Sequence, residues 1–401
     1  MRKALKWAGI GLLALFVIAA VAVALNWERV ERLSRVNSLF SEELIVSNFS
    51  AMDTMFETAP MSRGEGGVTE LPAAARDLPD GFEHDGQSYE IAEWLRDQAA
   101  TGLVVLEDGE LVHEAYFQGT DPEDRRISWS VAKSFLSILL GTAIEAGEIA
   151  SLDDPVEDYA PDLVGSAYEG VTVRQVANMA SGVTFDEDYM DFNSDINRMG
   201  RVLALGGSMD EFAAGLSERN REAGENWQYV SIDTHVLGMV IRGATGRSVA
   251  DLMQDRLIAP LGLEADPYYV TDGYGTAFVL GGLNLTTRDY ARFGLMVEQG
   301  GVIDGRRIVS EDWIARSTSA SAPAPVPGGR ETHGYGLQWW LPEDAAPGET
   351  YAVGVYDQYV YIDPQRDVVV ALNSANRGFR EPGVRDGQIA MFRAIAEHVS
   401  D

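Results

Sequence analysis

Ser128-Trp129-Ser130-Val131-Ala132-Lys133-Ser134-Phe135 opens a run to Gly147 in which Phe135, Ile138, Leu139, Ala143 and Ile144 recur at helical spacing. Ser130 therefore stands at a helix start, and Lys133, three residues on, shares its face. The unpaired N–H groups and positive dipole end at such a start favour an oxyanion and lower the pKa of a nearby lysine. Burial lowers it further. Bringing a lysine from about 10.4 to about 7.4 costs roughly 4 kcal/mol. A neutral Lys133 amine can then take the proton of Ser130, making the serine a nucleophile.

Serine and lysine three apart also arise by chance, as a helix cap followed by a surface cation. Composition argues against that here. Lys3, Lys6 and Lys133 are the only lysines, and every other basic residue is Arg. An ordinary surface cation at 133 would be expected as Arg, which cannot lose a proton and so cannot act as a base. The nucleophile-elbow pattern G-x-S-x-G of Ser-His-Asp hydrolases is absent. There are no cysteines, and the five histidines do not fall at metal-ligand spacing. No metal and no organic cofactor is expected.

Outward from this helix, Gly102 to Leu106 and Leu111 to Phe117 read as strands joined by a tight turn at Asp108-Gly109. Tyr335 to Leu341, Tyr351 to Ile362 and Val368 to Asn373 read as three more, and Val384 to Val399 as a closing helix. A mostly helical stretch from about Ser130 to Ala315 separates the two sets. The fold class is α+β: an antiparallel sheet of about five strands flanked by N- and C-terminal helices, with an inserted mostly helical region. The groove between sheet and insert is the expected site.

The 401 residues carry 62 Asp plus Glu against 31 Lys plus Arg, a formal net charge of −31. Such a surface repels nucleic acid, so none is expected as a partner. At the start, Arg2, Lys3 and Lys6 precede an apolar run from Ala8 to Leu25 flanked by Trp7 and Trp27. As a helix of about 27 Å it reads as just long enough to span a bilayer. The expectation is a protein anchored in the bacterial inner membrane through residues 1–27, with its catalytic domain in the periplasm. A cleaved signal peptide ending near Ala22-Val23-Ala24, with a soluble periplasmic product, is the alternative. Residues 28–85 read as a connector and 86–401 as the hydrolase domain.

A second element is Trp227-Gln228-Tyr229-Val230-Ser231, a loop before a helix from Thr234 to Ile241 with Asp233 as its cap. A phenol held near a cationic lysine can titrate low and relay protons. With Ser151-Leu152-Asp153-Asp154-Pro155-Val156, Met179-Ala180-Ser181-Gly182-Val183, Gly281-Gly282-Leu283 and Asp289-Tyr290-Ala291-Arg292-Phe293-Gly294, the chain from about Tyr89 onward resembles the serine beta-lactamase and penicillin-binding protein superfamily. It is most similar to its class C-like esterases and 6-aminohexanoate-dimer hydrolases. The resemblance implies Ser130 as the acylated nucleophile, Lys133 as base and Tyr229 as the proton-relaying tyrosine. It implies the backbone N–H groups of Ser130 and Val355 as oxyanion donors. From the amide-hydrolase branch it implies Tyr189 as a substrate contact.

Two positions depart from the family pattern. Lactamases carry Lys-Thr-Gly on the strand beside the site, whereas this one reads Val353-Gly354-Val355-Tyr356-Asp357-Gln358-Tyr359, with no cation. Ser231 stands where lactamases have Asn. Asp357 near the site disfavours anionic substrates and favours an amine. The expected activity is cleavage of a small-molecule ester or amide through an acyl-enzyme. The alternatives are a DD-peptidase or beta-lactamase acting on peptidoglycan-like or beta-lactam substrates, and a non-catalytic, membrane-tethered binding protein of the same fold. The oligomeric state is not legible.

Overall fold

Five strand-forming runs build the main sheet, and two of them fold back on themselves. The structure, a computed structural model, describes residues 2–25, 27–329 and 331–401. Its main sheet has seven strands in the spatial order Gly334–Tyr335, Trp340–Leu341, Thr350–Gly354, Gln358–Asp363, Val368–Ser374, Ala100–Glu107, Glu110–Tyr116. Every pairing is antiparallel. Tyr335 to Leu341, expected as one strand, reverses at Gln338, which takes φ 69°. Tyr351 to Ile362, also expected as one, turns through Tyr356 (φ 62°) and Asp357 (φ 63°). Neither turn carries glycine at its left-handed residue, so the usual punctuation is missing. Asp108-Gly109 does carry it, at φ 49° and 75°, and the hairpin there falls where the sequence places it.

The strands from the two halves of the chain meet where Val368–Ser374 pairs with Ala100–Glu107, with Val105 opposite Val370. Alternation along Gln358–Asp363 sends Tyr359 and Tyr361 to one face, where both rings pack on Phe392 of the closing helix Val384–Ser400. Val360 points to the other face, against Gly294 of the helix Thr287–Glu298, where there is no room for a Cβ. Phe293 of that helix stacks on Phe135 at 3.6 Å between ring centroids. That contact fixes the helix Ala132–Glu145 beneath the sheet. The inserted region between the strand sets is mostly helical, as its periodicity indicates. Its helix Ser231–Thr245 begins earlier than expected, so Asp233 is not a cap. Asp233 lies buried inside the first turn and accepts hydrogen bonds from Tyr168 (2.7 Å) and Ser181 (2.7 Å).

Residues 38–61 lie against this domain. Leu39, Ile45, Phe49, Met52, Met55 and Met61 are all buried in its core. Glu57–Pro60 pairs antiparallel with Tyr268–Thr271. Arg126, itself buried, donates from Nη1 to Val46 O at 2.6 Å and Ser50 Oγ at 2.7 Å. A flexible tether would make none of these contacts.

The N-terminal expectation requires correction. Arg2–Leu25 is helical, but among the described residues no helix is long and apolar enough to cross a membrane. The Ala8 to Leu25 run, at about 27 Å as a helix, is at the lower limit of a span. An inner-membrane partner, a transmembrane anchor and an anchored periplasmic location are therefore not supported. The side chains of Arg2, Lys3 and Lys6, which motivated the orientation, lie outside the described residues.

Candidate active site

The serine sits on a tightened turn. Trp129–Val131 forms one 3₁₀ turn, and the α-helix proper starts at Ala132. Trp129 takes φ 42°, a left-handed conformation that is costly for a bulky side chain. The turn faces Ser130 into a cleft of about 1060 Å³, whose walls include Glu187, Tyr189, Tyr229, Val355, Asp357 and Arg385.

Lys133 is 2% exposed. Its Nζ donates to Ser130 Oγ at 2.9 Å, Ser231 Oγ at 3.2 Å and the Leu280 carbonyl at 2.8 Å. Three oxygens meet the three N–H bonds of an ammonium. Burial lowers its pKa to about 7, against the opposing pull of Glu187. The amine is thus poised to change protonation near neutrality.

Tyr229 is brought to the same place. Its ring centroid is 5.3 Å from Lys133 Nζ, and it packs on Trp340 at 5.2 Å. The expectation of a low-titrating phenol is reversed. Burial pushes Tyr229 well above the ordinary tyrosine value, more than its hydrogen bond with Ser130 and the nearby Arg385 pull it down. Tyr229 is therefore a neutral donor and acceptor at any ordinary pH.

Glu187 was not singled out in the sequence, yet it closes the network. Ser231 donates to it twice, from Oγ to Oε1 at 2.5 Å and from N–H to Oε2 at 3.0 Å. Tyr189 donates its hydroxyl to Oε1 at 2.7 Å. Burial raises the Glu187 pKa, while Lys133 and these donors act to lower it. Tyr189 lines the cleft as expected of a substrate contact, but its hydroxyl is turned to Glu187. Glu187 lies within Asp186-Glu187-Asp188, in a chain rich in acids, so nothing in the residue pattern separates it from solvated neighbours.

The hairpin turn between Thr350–Gly354 and Gln358–Asp363 forms the opposite wall. A Cβ on Gly354 would lie 2.5 Å from Ser128 O and 2.9 Å from Ser130 N. Only glycine lets the strand end approach the serine backbone this closely. Val355 follows it and lines the cleft with Ser130. Four aromatic rings hold the two turns together. Phe40 stacks on Tyr356 at 5.2 Å, and Phe49 packs edge-on to Trp129 at 5.5 Å and Tyr356 at 5.3 Å. Asp357 is 2% exposed and accepts from Asn376 at 2.6 Å. Burial raises its pKa to about 6. A cation does reach the cleft, from another element. Arg385, at the start of the closing helix, lies over the Trp340 ring at 4.5 Å and 3.8 Å from Glu331.

A lysine buried against a serine at a helix start, beside an antiparallel sheet built from both chain ends, defines the beta-lactamase and transpeptidase architecture. The chain belongs to the beta-lactamase family, whose model matches residues 91–393. It is 29% identical over 342 residues to the 6-aminohexanoate-dimer hydrolase of Paenarthrobacter ureafaciens, covering 81% of this chain and 84% of that protein. It is 25% identical over 264 residues to penicillin-binding protein 4* of Bacillus subtilis (strain 168), covering 55% of this chain and 52% of that one. Among solved structures, a candidate 6-aminohexanoate-dimer hydrolase from Bacillus anthracis superposes with a TM-score of 0.81 at 24% identity, covering 90% of this chain and 96% of that one. That likeness speaks to fold. The family relation is to hydrolases that act on ester, amide or beta-lactam-like bonds.

Proposed function

We propose that the protein hydrolyses an ester or amide of a small molecule through an acyl-enzyme on Ser130. The observation that carries this reading is the buried Lys133 amine, 2.9 Å from Ser130 Oγ, where burial lowers its pKa to about 7. When neutral, the amine keeps two N–H bonds for Leu280 O and Ser231 Oγ and turns its lone pair to the Ser130 hydroxyl. Ser130 Oγ then attacks the carbonyl carbon as its proton passes to Lys133. The N–H groups of Ser130 and Val355 receive the oxyanion. Tyr229, neutral and beside Ser130, gives its proton to the leaving group and takes one back from the Lys133 ammonium, so both regain their starting forms. Water repeats the sequence on the acyl-enzyme.

Asp357 and Tyr189 favour a substrate with an amine near the scissile bond, in line with the 6-aminohexanoate-dimer hydrolase relative. Residues 38–61 belong, on this reading, to the catalytic unit together with residues 86–401.

A second reading is a DD-peptidase or beta-lactamase. It is favoured by the beta-lactamase family match, by the penicillin-binding relative, and by Arg385, a cation able to hold a substrate carboxylate. Turnover of p-nitrophenyl esters, short ω-amino-acid amides and a chromogenic cephalosporin separates the two. Ester or amide turnover without cephalosporin opening supports the first. Cephalosporin opening or stable penicillin acylation at Ser130, without the others, replaces it by the second.

A further inference from the structure

Lys133 has a partner that neither the S-x-x-K pattern nor the tyrosine loop supplies. From Lys133 Nζ a continuous hydrogen-bonded path runs through Ser231 Oγ (3.2 Å) to Glu187 Oε1 (2.5 Å) and on to the Tyr189 hydroxyl (2.7 Å). Ser231 closes it on the backbone side as well, its N–H on Glu187 Oε2 at 3.0 Å. Glu187 thus accepts from three donors on two elements, its own loop and the helix Ser231–Thr245. That is a built pocket for a carboxylate, not a chance surface contact.

We propose that Glu187 is a positioning residue, the counter-charge of the Lys133 base, acting on it across Ser231. The inference rests on the hydrolase reading and deepens it. When Lys133 takes the Ser130 proton, one O–H bond breaks, one N–H bond forms, and a positive charge appears on a buried amine. The Glu187 carboxylate balances that charge, and Ser231 holds the two ends in register. A carboxylate also keeps the lysine from sinking too low as a base, since burial pulls Lys133 down while Glu187 pulls it up. The other ionisable groups facing the pair are Tyr189 and Tyr229, both pushed up by burial and so neutral. Arg380 lies over the Tyr189 ring at 5.6 Å and pairs with Asp188 at 3.3 Å. Glu187 is therefore the anion to which Lys133 responds.

The chain's lysine content makes the test direct. With lysine labelled with ¹³C at Cε, only Lys3, Lys6 and Lys133 give signals, and Lys133→Arg assigns the third. In the wild type the Lys133 signal should titrate near pH 7. Glu187→Gln and Glu187→Ala should each move that midpoint down by about one unit or more. Glu187→Asp, which keeps the charge, should stay within about half a unit. The acid limb of Ser130 labelling by a fluorophosphonate should move with the NMR midpoint, which a merely structural role would not produce. A Lys133 midpoint unchanged in both Gln and Ala variants, with wild-type Ser130 still labelled, overturns the role of Glu187 and leaves the hydrolase reading standing. A shifted midpoint with no labelling of the wild type does the reverse. The two variants guard against one failing to fold, and the NMR readout needs no turnover.

Discussion

Replacing Lys133 by Met should make stability respond differently to pH. Met has nearly the volume of the lysine stem and brings no charge into the site. In the wild type the Lys133 pKa falls from 10.5 to about 7 on folding. Between those values the unfolded chain binds a proton that the folded chain does not, so stability rises with pH across the window. The penalty is largest below about pH 7 and fades as pH approaches 10.5. Integrated between pH 7 and pH 9, one such group contributes about 2 kcal/mol of increasing stability. Glu187 reinforces the contrast. Without Lys133 it loses a charge that holds its pKa down, and a carboxyl raised further makes the variant lose stability as pH rises. Urea denaturation of both proteins at half-unit steps from pH 6 to pH 10 gives the two curves. Wild-type stability should climb relative to Lys133→Met by about 2 kcal/mol between pH 7 and pH 9. Parallel curves would refute the buried, low-titrating lysine, and with it the reason Lys133 can act as a base.

Gly354→Ala should slow Ser130 labelling by roughly 10²-fold, because the new Cβ meets Ser128 O and Ser130 N and forces the strand end off the serine turn; labelling within twofold of wild type would count against that contact. Phe49→Ala should cost about 3 kcal/mol in urea denaturation, as expected for a fully buried phenylalanine. It should also slow labelling, since Trp129 and Tyr356 lose the ring between them. Asp357→Asn should abolish any preference for amine-bearing over neutral esters above about pH 6, where the wild-type carboxyl is ionised. The ratio of the two kcat/KM values reads this, and an unchanged ratio would remove Asp357 from substrate recognition.

The parts of the site set by local spacing were legible in the sequence, and the parts set by long-range packing were not. Ser130 and Lys133 meet because a helix start places residues three apart on one face. The scarcity of lysine drew attention to Lys133, which lies buried against Ser130. The sheet was legible from its alternation, but its two extra strands were not. Gln338, Tyr356 and Asp357 adopt left-handed conformations that packing enforces without glycine. Glu187 was hidden by composition, since only the hydrogen bonds it accepts from Ser231 and Tyr189 set it apart from Asp186 and Asp188. Arg385 follows a helix start with no sequence mark, and it enters the cleft only because the closing helix packs across the sheet. The N-terminal apolar run showed the opposite failure. There the compositional signal lies at the lower limit of a span, and among the described residues no helix is long and apolar enough to cross a membrane. Residues 38–61, read as connector, contribute Phe40 and Phe49 to the aromatic cluster behind the serine turn.

The most direct test is to treat the purified chain with a fluorophosphonate and map the adduct by mass spectrometry. The expected result is one phosphonyl group per chain, on the peptide containing Ser130, absent from Ser130→Ala and strongly reduced in Lys133→Met. No adduct on the wild type, or an adduct that persists on another serine in Ser130→Ala, would contradict the assignment of Ser130 as the nucleophile.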